Sequence, residues 1–514
     1  MLQSSKLRLL AVTAAVSCTG SDQGWPPSPG PAWSQKILGG SAPELFYPPP
    51  PHAVSIEGGS FRVNGEPFFP LGFYYLWGSI NTEYPPRTNT TTNASHWNGG
   101  CGAACNNADA WWRWYEETGF NTFVKGWMGT EYAEGYGEML TYLHAHLNTT
   151  IMPILNVGDT QEIINAKTTR AKVDGAGHMA AQFRNSSFLV YYIQDEVGTV
   201  EPTASIAAAV KGNDSYHPTM SLFCGIQCGP QSWDAKVYSE ISSAHDAFGI
   251  DSYTEYKHLH TLPWNVTVDG SPKYVAHDVD RLRAVAAPGQ PLIVTLQAVF
   301  LLIYECHPPA GPATDWPGCQ QYRAITPDEA ACEFFIAINH GATGVLWFTA
   351  EGTGVTPQNT SKIALIDEMP ELWERLGFLA KMMKNGLAAA LLAPAPETAG
   401  LFSATGSGGP GWWPIDVAIH IHGQDLVICA VNPERFAINN VVFDLSAQRV
   451  TPNATWIAGY YLCPEGDRKC ALETDMRELQ ASPPARGVLP SNSFKDSFAP
   501  LATQHYVCKG CVGV

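Results

Sequence analysis

The chain has 514 residues, of which 45% are hydrophobic, 11% aromatic and only 15% charged, a composition that excludes a disordered or coiled-coil protein. Thirty basic against 47 acidic side chains leave a formal charge of −17, a surface that repels phosphate backbones and argues against a nucleic-acid partner. No apolar run reaches the roughly 20 residues needed to span a bilayer, and the length accommodates an α/β barrel of roughly 250 residues plus a second domain.

Residues 1–18 place Lys6 and Arg8 ahead of a short apolar stretch, with Ala15 and Ser17 at positions suited to cleavage. This reads as a secretory signal peptide. Ala15-Val16-Ser17-Cys18 also fits a loose lipobox, in which Cys18 would carry a lipid. Asn-x-Ser/Thr sequons stand at Asn89, Asn93, Asn148, Asn185, Asn213, Asn265, Asn359 and Asn453, and such glycans sit on surface loops of exported proteins. Several cysteines are closely spaced, as Cys101/Cys105, Cys224/Cys228, Cys306/Cys319, Cys463/Cys470 and Cys508/Cys511. In an oxidising compartment these read as loop staples, whereas no regular Cys/His quartet points to zinc. Cys332 and Cys429 fall in apolar segments and read as buried thiols. The expected location is secreted or cell-surface.

Residues 19–53 are rich in Pro, Gly and Ser and read as a linker. Ser55-Ile56-Glu57 and Phe61-Arg62-Val63 then flank Gly58-Gly59, with Asn64-Gly65 as a second turn, a hairpin pattern. Eight near-continuously apolar runs follow, at 68–75, 120–126, 151–157, 188–195, 219–226, 247–253, 292–300 and 344–349. Such runs suit parallel strands buried on both faces. Helical stretches at 109–118, 132–147, 233–245 and 327–340 alternate with them, the last opened by Thr326 as N-cap and Pro327 at the first helical position, and closed by Gly341. Eight βα repeats predict a TIM barrel over 54–386 rather than a doubly wound sheet, and no G-x-G-x-x-G follows the first strand. After a helix at 369–384 and the stop Asn385-Gly386, short strands at 417–421, 426–431, 441–445 and 456–462 predict a β-sandwich over 387–514. Asn148, Asn185 and Asn213 each precede a strand, which assigns them to the N-terminal face of the barrel.

Barrel chemistry sits at the C-terminal ends of strands. There the sequence offers Tyr74, Lys125-Gly126-Trp127, Asn156, Gln194-Asp195-Glu196, Asp251-Ser252-Tyr253, Gln297 and Trp347. The adjacent carboxylates Asp195 and Glu196 follow Tyr191-Tyr192-Ile193 directly; buried acids at a strand end are costly without function. A salt-bridged pair that simply opens a loop is the structural alternative. Tyr74, Trp127 and Trp347 are among the aromatics placed where a sugar face stacks, although many tryptophans only pack cores. His144/His146 and His258/His260 are i, i+2 pairs that do not share a helix face, so no metal is expected, and no cofactor is called for.

Three segments carry a family resemblance. Val63-Asn64-Gly65-Glu66-Pro67-Phe68-Phe69-Pro70-Leu71-Gly72 resembles the entry strand of sugar-cleaving barrels, Gly119-Phe120-Asn121-Thr122 their second strand, and residues 325–348 their seventh helix and eighth strand. Over roughly residues 55–510 the chain resembles a clan-A-type glycoside hydrolase with an appended β-sandwich. The resemblance implies Glu196 as the acid/base at the end of strand four, although Asp195 stands where Asn is usual. It also implies Tyr253 and Trp347 lining the sugar subsite. The sequence departs at strand seven, where the family's nucleophilic Glu is replaced by Leu296-Gln297-Ala298.

A second carboxylate must then come from elsewhere: Asp251 first, Glu351 next, then Asp159 and Glu305 from loops. Asn156 and Gln297 are expected to bind sugar hydroxyls, since an amide both donates and accepts. The expected activity is two-carboxylate hydrolysis of an O-glycosidic bond with Glu196 as acid, its stereochemical course left open; a further reading makes Asp251 the base to a water in a single displacement. The alternative is a catalytically silent barrel that binds glycans.

Overall fold

The computed structural model describes residues 52–74, 108–125, 133–158, 160–225, 233–254, 260–261, 267–268, 271–298, 325–349, 365, 369–392, 415–444, 456–458, 477–478 and 493–508. The expected signal peptide and most of the expected linker lie outside them, as do Trp127, Asp159, Glu305 and Glu351.

All eight apolar runs become strands of one closed parallel barrel: Leu71–Tyr74, Thr122–Lys125, Ile154–Asn156, Val190–Tyr192, Thr219–Cys224, Ala247–Ser252, Leu292–Gln297 and Gly344–Phe348. Each pairs with its successor and the eighth closes onto the first, with Val345 beside Leu71 and Phe348 beside Tyr74. The chain is therefore a (β/α)8 TIM barrel, and closure explains the unbroken hydrophobicity: one side of each strand fills the barrel and the other meets the helices. On the fourth strand Val190 and Tyr192 join the interior cluster while Tyr191 packs outward. On the eighth, Leu346 and Phe348 point in, and Val345 and Trp347 point out. Gly249 is small for a packing reason, since a Cβ there would lie 1.9 Å from Leu222 Cδ2, one of the side chains that fill the interior.

The N-terminal hairpin gains a third strand. Val54–Glu57, Ser60–Val63 and Glu66–Phe68 form an antiparallel sheet, and Asn64 and Gly65 turn the second corner with φ of 55° and 84°. Phe61, fully buried, belongs to the interior cluster, so this sheet supplies a side chain to the barrel's core.

Among the helices, Pro327–Asn339 shows how local rules and packing agree. The Thr326 side chain accepts from the Glu329 backbone N–H and Glu329 reciprocates to the Thr326 N–H, a complete capping box. Ten of its residues, Glu329 to Ile338, are buried, because the helix lies between the barrel and the C-terminal strands. The helix Pro370–Met382 does not stop at Asn385-Gly386 as the sequence suggests. Gly386 takes φ 115°, the backbone kinks there, and Ala388–Leu391 resumes as helix.

Beyond it, Asp416–His422, Asp425–Val431, Thr503–Cys508, Trp456–Ala458 and Arg477–Glu478 form one antiparallel sheet, and Ile438–Asp444 with Ser493–Phe498 a second. Leu426, Ile428 and Ala430 join Val441, Phe443, Phe494 and Phe498 in a core shared by the two sheets, a β-sandwich. The alternate residues Cys429 and Val431 join the barrel's own outer core instead. One strand thus serves two cores through its period of two.

Candidate active site

The alternation of side chains decides what enters the barrel mouth. On the sixth strand Phe248 and Ile250 face the helices while Ala247 and Tyr253 face inward, so Asp251 faces inward as well. The same count turns Asn156, Thr295 and Gln297 inward at the ends of the third and seventh strands, because Leu155, Val294 and Leu296 lie in the outer cluster. Asn156, Asp251 and Gln297 are all buried.

Three carboxylates meet in this mouth. Asp251 is 2% exposed. Burial, and then the charges of Asp195 and Glu196, hold its carboxyl well above the usual carboxylate range, while hydrogen bonding with the adjacent Thr295 pulls weakly the other way. The sixth-strand acid and the two acids after the fourth strand therefore lie close enough for the charges of Asp195 and Glu196 to act on Asp251. Glu196 is exposed yet has protein around much of it; that surrounding raises its pKa, and its exposure keeps it accessible to a substrate. Its backbone adopts φ 40°, a left-handed conformation that costs a Glu roughly 1–2 kcal/mol and that concentrates at functional sites.

Asp195 is anchored from below. The Tyr74 hydroxyl donates to the Tyr192 hydroxyl at 2.5 Å, and Tyr192 donates to Asp195 Oδ1 at 2.6 Å. Their rings meet edge to face with centroids 5.8 Å apart, so a hydrogen-bonded beam crosses the barrel from the first strand to the fourth beneath the acids. Phe348 packs against both Tyr74 and Tyr253, at 6.1 and 5.5 Å between centroids.

Several expected site residues change place or role. Trp347 is not a subsite residue: it is fully buried on the outer side of the eighth strand and stacks on Phe334 of the helix Pro327–Asn339 at 5.6 Å. Phe348 takes the inward position, one residue later. Tyr74, 1% exposed, offers its hydroxyl to Tyr192 and is floor rather than stacking wall. Asp251 was expected to act as a base, but burial and the charges of Asp195 and Glu196 raise its pKa, which favours the proton donor's role over the base's. Tyr192, which holds Asp195, is the residue of the mouth that the sequence reading did not single out. The signal was available, since two consecutive tyrosines in an apolar strand require hydroxyl partners on both sides of the sheet.

Trp112 and Trp114 of the first helix, Ala108–Thr118, pack on Phe123 and on Trp373. Among the described residues no group of three His, Cys, Asp or Glu side chains is arranged to hold a metal ion, and no helix is long and apolar enough to cross a membrane. Cys332 and Cys429 are buried free thiols. Cys224 and Cys508 are disulfide-bonded.

A cavity of about 580 Å³ lies at the opposite end, among the loops that precede strands five to seven, with Tyr216, His217, Asp246 and Gln290 in its lining. It is not the reaction centre, because its acids are neutralised: Asp246 pairs with Lys211 at 2.7 Å, and Asp214 is filled by hydrogen-bond donors.

No family model matches the chain, and no curated protein matches it. Among solved structures, a protein described as a glycoside hydrolase is 11% identical with a TM-score of 0.53, covering 90% of this chain and 98% of its own. A glycoside hydrolase family 5 protein from Bacteroides vulgatus is 12% identical with a TM-score of 0.54, covering 89% and 93%. The chain shares its fold with these two proteins over about nine-tenths of its length.

Proposed function

We propose that this protein is a secreted glycoside hydrolase that cleaves O-glycosidic bonds of a carbohydrate. The observation that carries the reading is the convergence of Asp195, Glu196 and Asp251, from two separate strands, in a mouth floored by Tyr74, Tyr192 and Phe348. Glycoside cleavage needs one carboxyl that holds a proton for the leaving oxygen and a second that takes one or attacks. Glu196 suits the first role, being accessible to substrate and raised in pKa. Asp195, positioned by Tyr192, is the second carboxylate. Asp251 sits behind the pair, protonated by burial, and its charge state tunes theirs. Asn156, Tyr253 and Gln297 supply hydrogen bonds to sugar hydroxyls.

Strand seven ends in Gln297, so a water-mediated single displacement is the favoured route. A screen of aryl glycosides and polysaccharides tests the activity, and proton NMR of the nascent sugar tests the route. Inverted configuration supports it; retention rules it out. Glycan binding by an inert wild-type protein would favour the silent-barrel reading instead.

The exported state rests on the sequons. Asn148, Asn185 and Asn213 are exposed at the junctions leading into the third, fourth and fifth strands, away from the mouth. A glycosidase-sensitive mass shift on the secreted protein, mapped to these three sites, is the expected result.

A further inference from the structure

Among the described residues the contact between barrel and sandwich holds a charged cluster around His340, apart from the ion pair of Arg435 with Glu329 at 2.8 Å. His340 caps the C-terminal end of the helix Pro327–Asn339. Its Nδ1 lies 2.9 Å from an Asp280 oxygen, and its Nε2 lies 2.7 Å from Asp416 Oδ2. Asp280 belongs to the barrel helix Lys273–Val285 and Asp416 opens the first sandwich strand, so a single ring spans both layers. An imidazole can donate from both nitrogens only when it is protonated. Two carboxylates facing its two nitrogens therefore require the cation. The helix C-terminus adds to the preference, because its partial negative charge favours a cation there.

The surrounding groups are arranged for this. Arg283, from the same helix as Asp280, holds that carboxylate at 3.0 Å. Asn339 Nδ2 donates to Asp416 Oδ1 at 2.6 Å and to the Cys429 carbonyl at 3.4 Å. The buried Cys429 thiol is pushed up by burial and by the Asp416 charge, and stays neutral. His340 itself is 23% exposed at its side chain.

We propose that His340 is a pH-responsive clamp that holds the β-sandwich on the barrel as a doubly bonded imidazolium and releases it in alkaline solution. Burial alone would lower the His340 pKa, but hydrogen bonds with Asp280 and Asp416 and their charges override it and raise the value to about 9. A cation whose folded pKa exceeds its unfolded one stabilises fully below the unfolded value, about 6.5, and loses that stabilisation as pH rises through the folded one. Asp280 is pushed up by burial but pulled further down by His340 and Arg283, for a net lowering. Its contribution is present above about pH 4 and fades as pH falls through its lower folded value. The clamp is therefore tightest between about pH 4 and 6.5, and alkali opens it.

Thermal unfolding of the full chain between pH 6 and 10 tests this in wild type, His340→Gln and His340→Arg. The wild type is expected to lose melting temperature from pH 7 to 10 more steeply than His340→Gln. His340→Arg keeps a cation throughout and should flatten the same interval. Parallel curves for wild type and His340→Gln would overturn the proposal. Should the variants fail to fold, the wild-type imidazole proton resonances decide. One titrating near pH 9 supports the clamp, whereas titration of every imidazole below about pH 8 rejects it.

Discussion

Two buried aspartates, one at each end of the same barrel, show what separates an acid that builds the fold from an acid available for chemistry. Asp214, 1% exposed, stands at the N-terminal end. Its Oδ2 accepts from the Tyr191 hydroxyl at 2.9 Å and lies 2.8 Å from His217 Nδ1, and its Oδ1 accepts the backbone N–H groups of Tyr216 and His217. Burial alone would raise its pKa, but these hydrogen bonds outweigh it and leave the carboxyl below its ordinary value. Asp251, equally buried at the C-terminal end, faces Asp195 and Glu196 and is driven the other way. Desolvation is common to both. The partners decide the sign: donors stabilise the anion, like charges and burial favour the proton.

The largest effect that would break this contrast is catalytic. Glu196→Gln removes the proton donor while keeping its shape, and should lower kcat by about 10²–10⁴-fold on an activated or natural glycoside, with the melting temperature little changed. Wild-type turnover in that variant would take the mouth acids out of the chemistry.

Next comes a matched pair of isosteric changes. Asp214→Asn leaves donors pointing at an amide nitrogen and should cost about 2–3 kcal/mol of stability. Asp251→Asn removes a carboxyl that its neighbours disfavour and should be neutral or stabilising, while activity falls. The pH dependence has opposite signs. A lowered folded pKa stabilises above the unfolded value and fades as pH falls, so acidification should erode the advantage of wild type over Asp214→Asn. A raised folded pKa costs stability as pH climbs above the unfolded value, so acidification from neutrality towards pH 4 should favour wild type over Asp251→Asn. Melting curves of the three proteins from neutrality to about pH 2 check both slopes, that of Asp251→Asn above about pH 4 and that of Asp214→Asn below it; slopes of the same sign would dissolve the distinction.

The smallest effect sharpens the comparison within one dipeptide. Tyr191 donates outward to Asp214 and Tyr192 donates inward to Asp195. Phe at either position should cost about 1 kcal/mol in a denaturant melt, but only Tyr192→Phe should also lower kcat. An equal kinetic loss from Tyr191→Phe would mean that rigidity, not positioning of Asp195, is what the hydroxyl provides.

Much of the barrel was legible because its signals are local. Each apolar run was bounded by helical periodicity or turn residues, and Thr326 and Pro327 marked a helix start that the capping box realises. The placement of Asp195, Glu196 and Asp251 followed from counting residues to strand ends. What failed was the choice between adjacent residues. Trp347 and Phe348 are both apolar, in a strand buried on both sides, so no polar alternation marks which points inward, and a shift of one residue exchanges wall for mouth. The extra strand Glu66–Phe68 and the resumption of helix after Gly386 were missed at boundaries, where turn residues are compatible with more than one path.

The sequence by itself determined the order and kind of the elements, because backbone hydrogen bonding, capping and side-chain periodicity act over a few residues. It also determined which strand ends carry acids. Only the tertiary structure decided the state and partner of each acid. Tyr74 reaches Tyr192 across 118 residues of chain, and through it Asp195, Asp251 feels charges that follow a strand two positions away around the barrel, and His340 joins two layers through acids 60 and 76 residues distant. Electrostatic coupling depends on distance through space and on the water excluded from between the groups, and neither is written in the spacing along the chain.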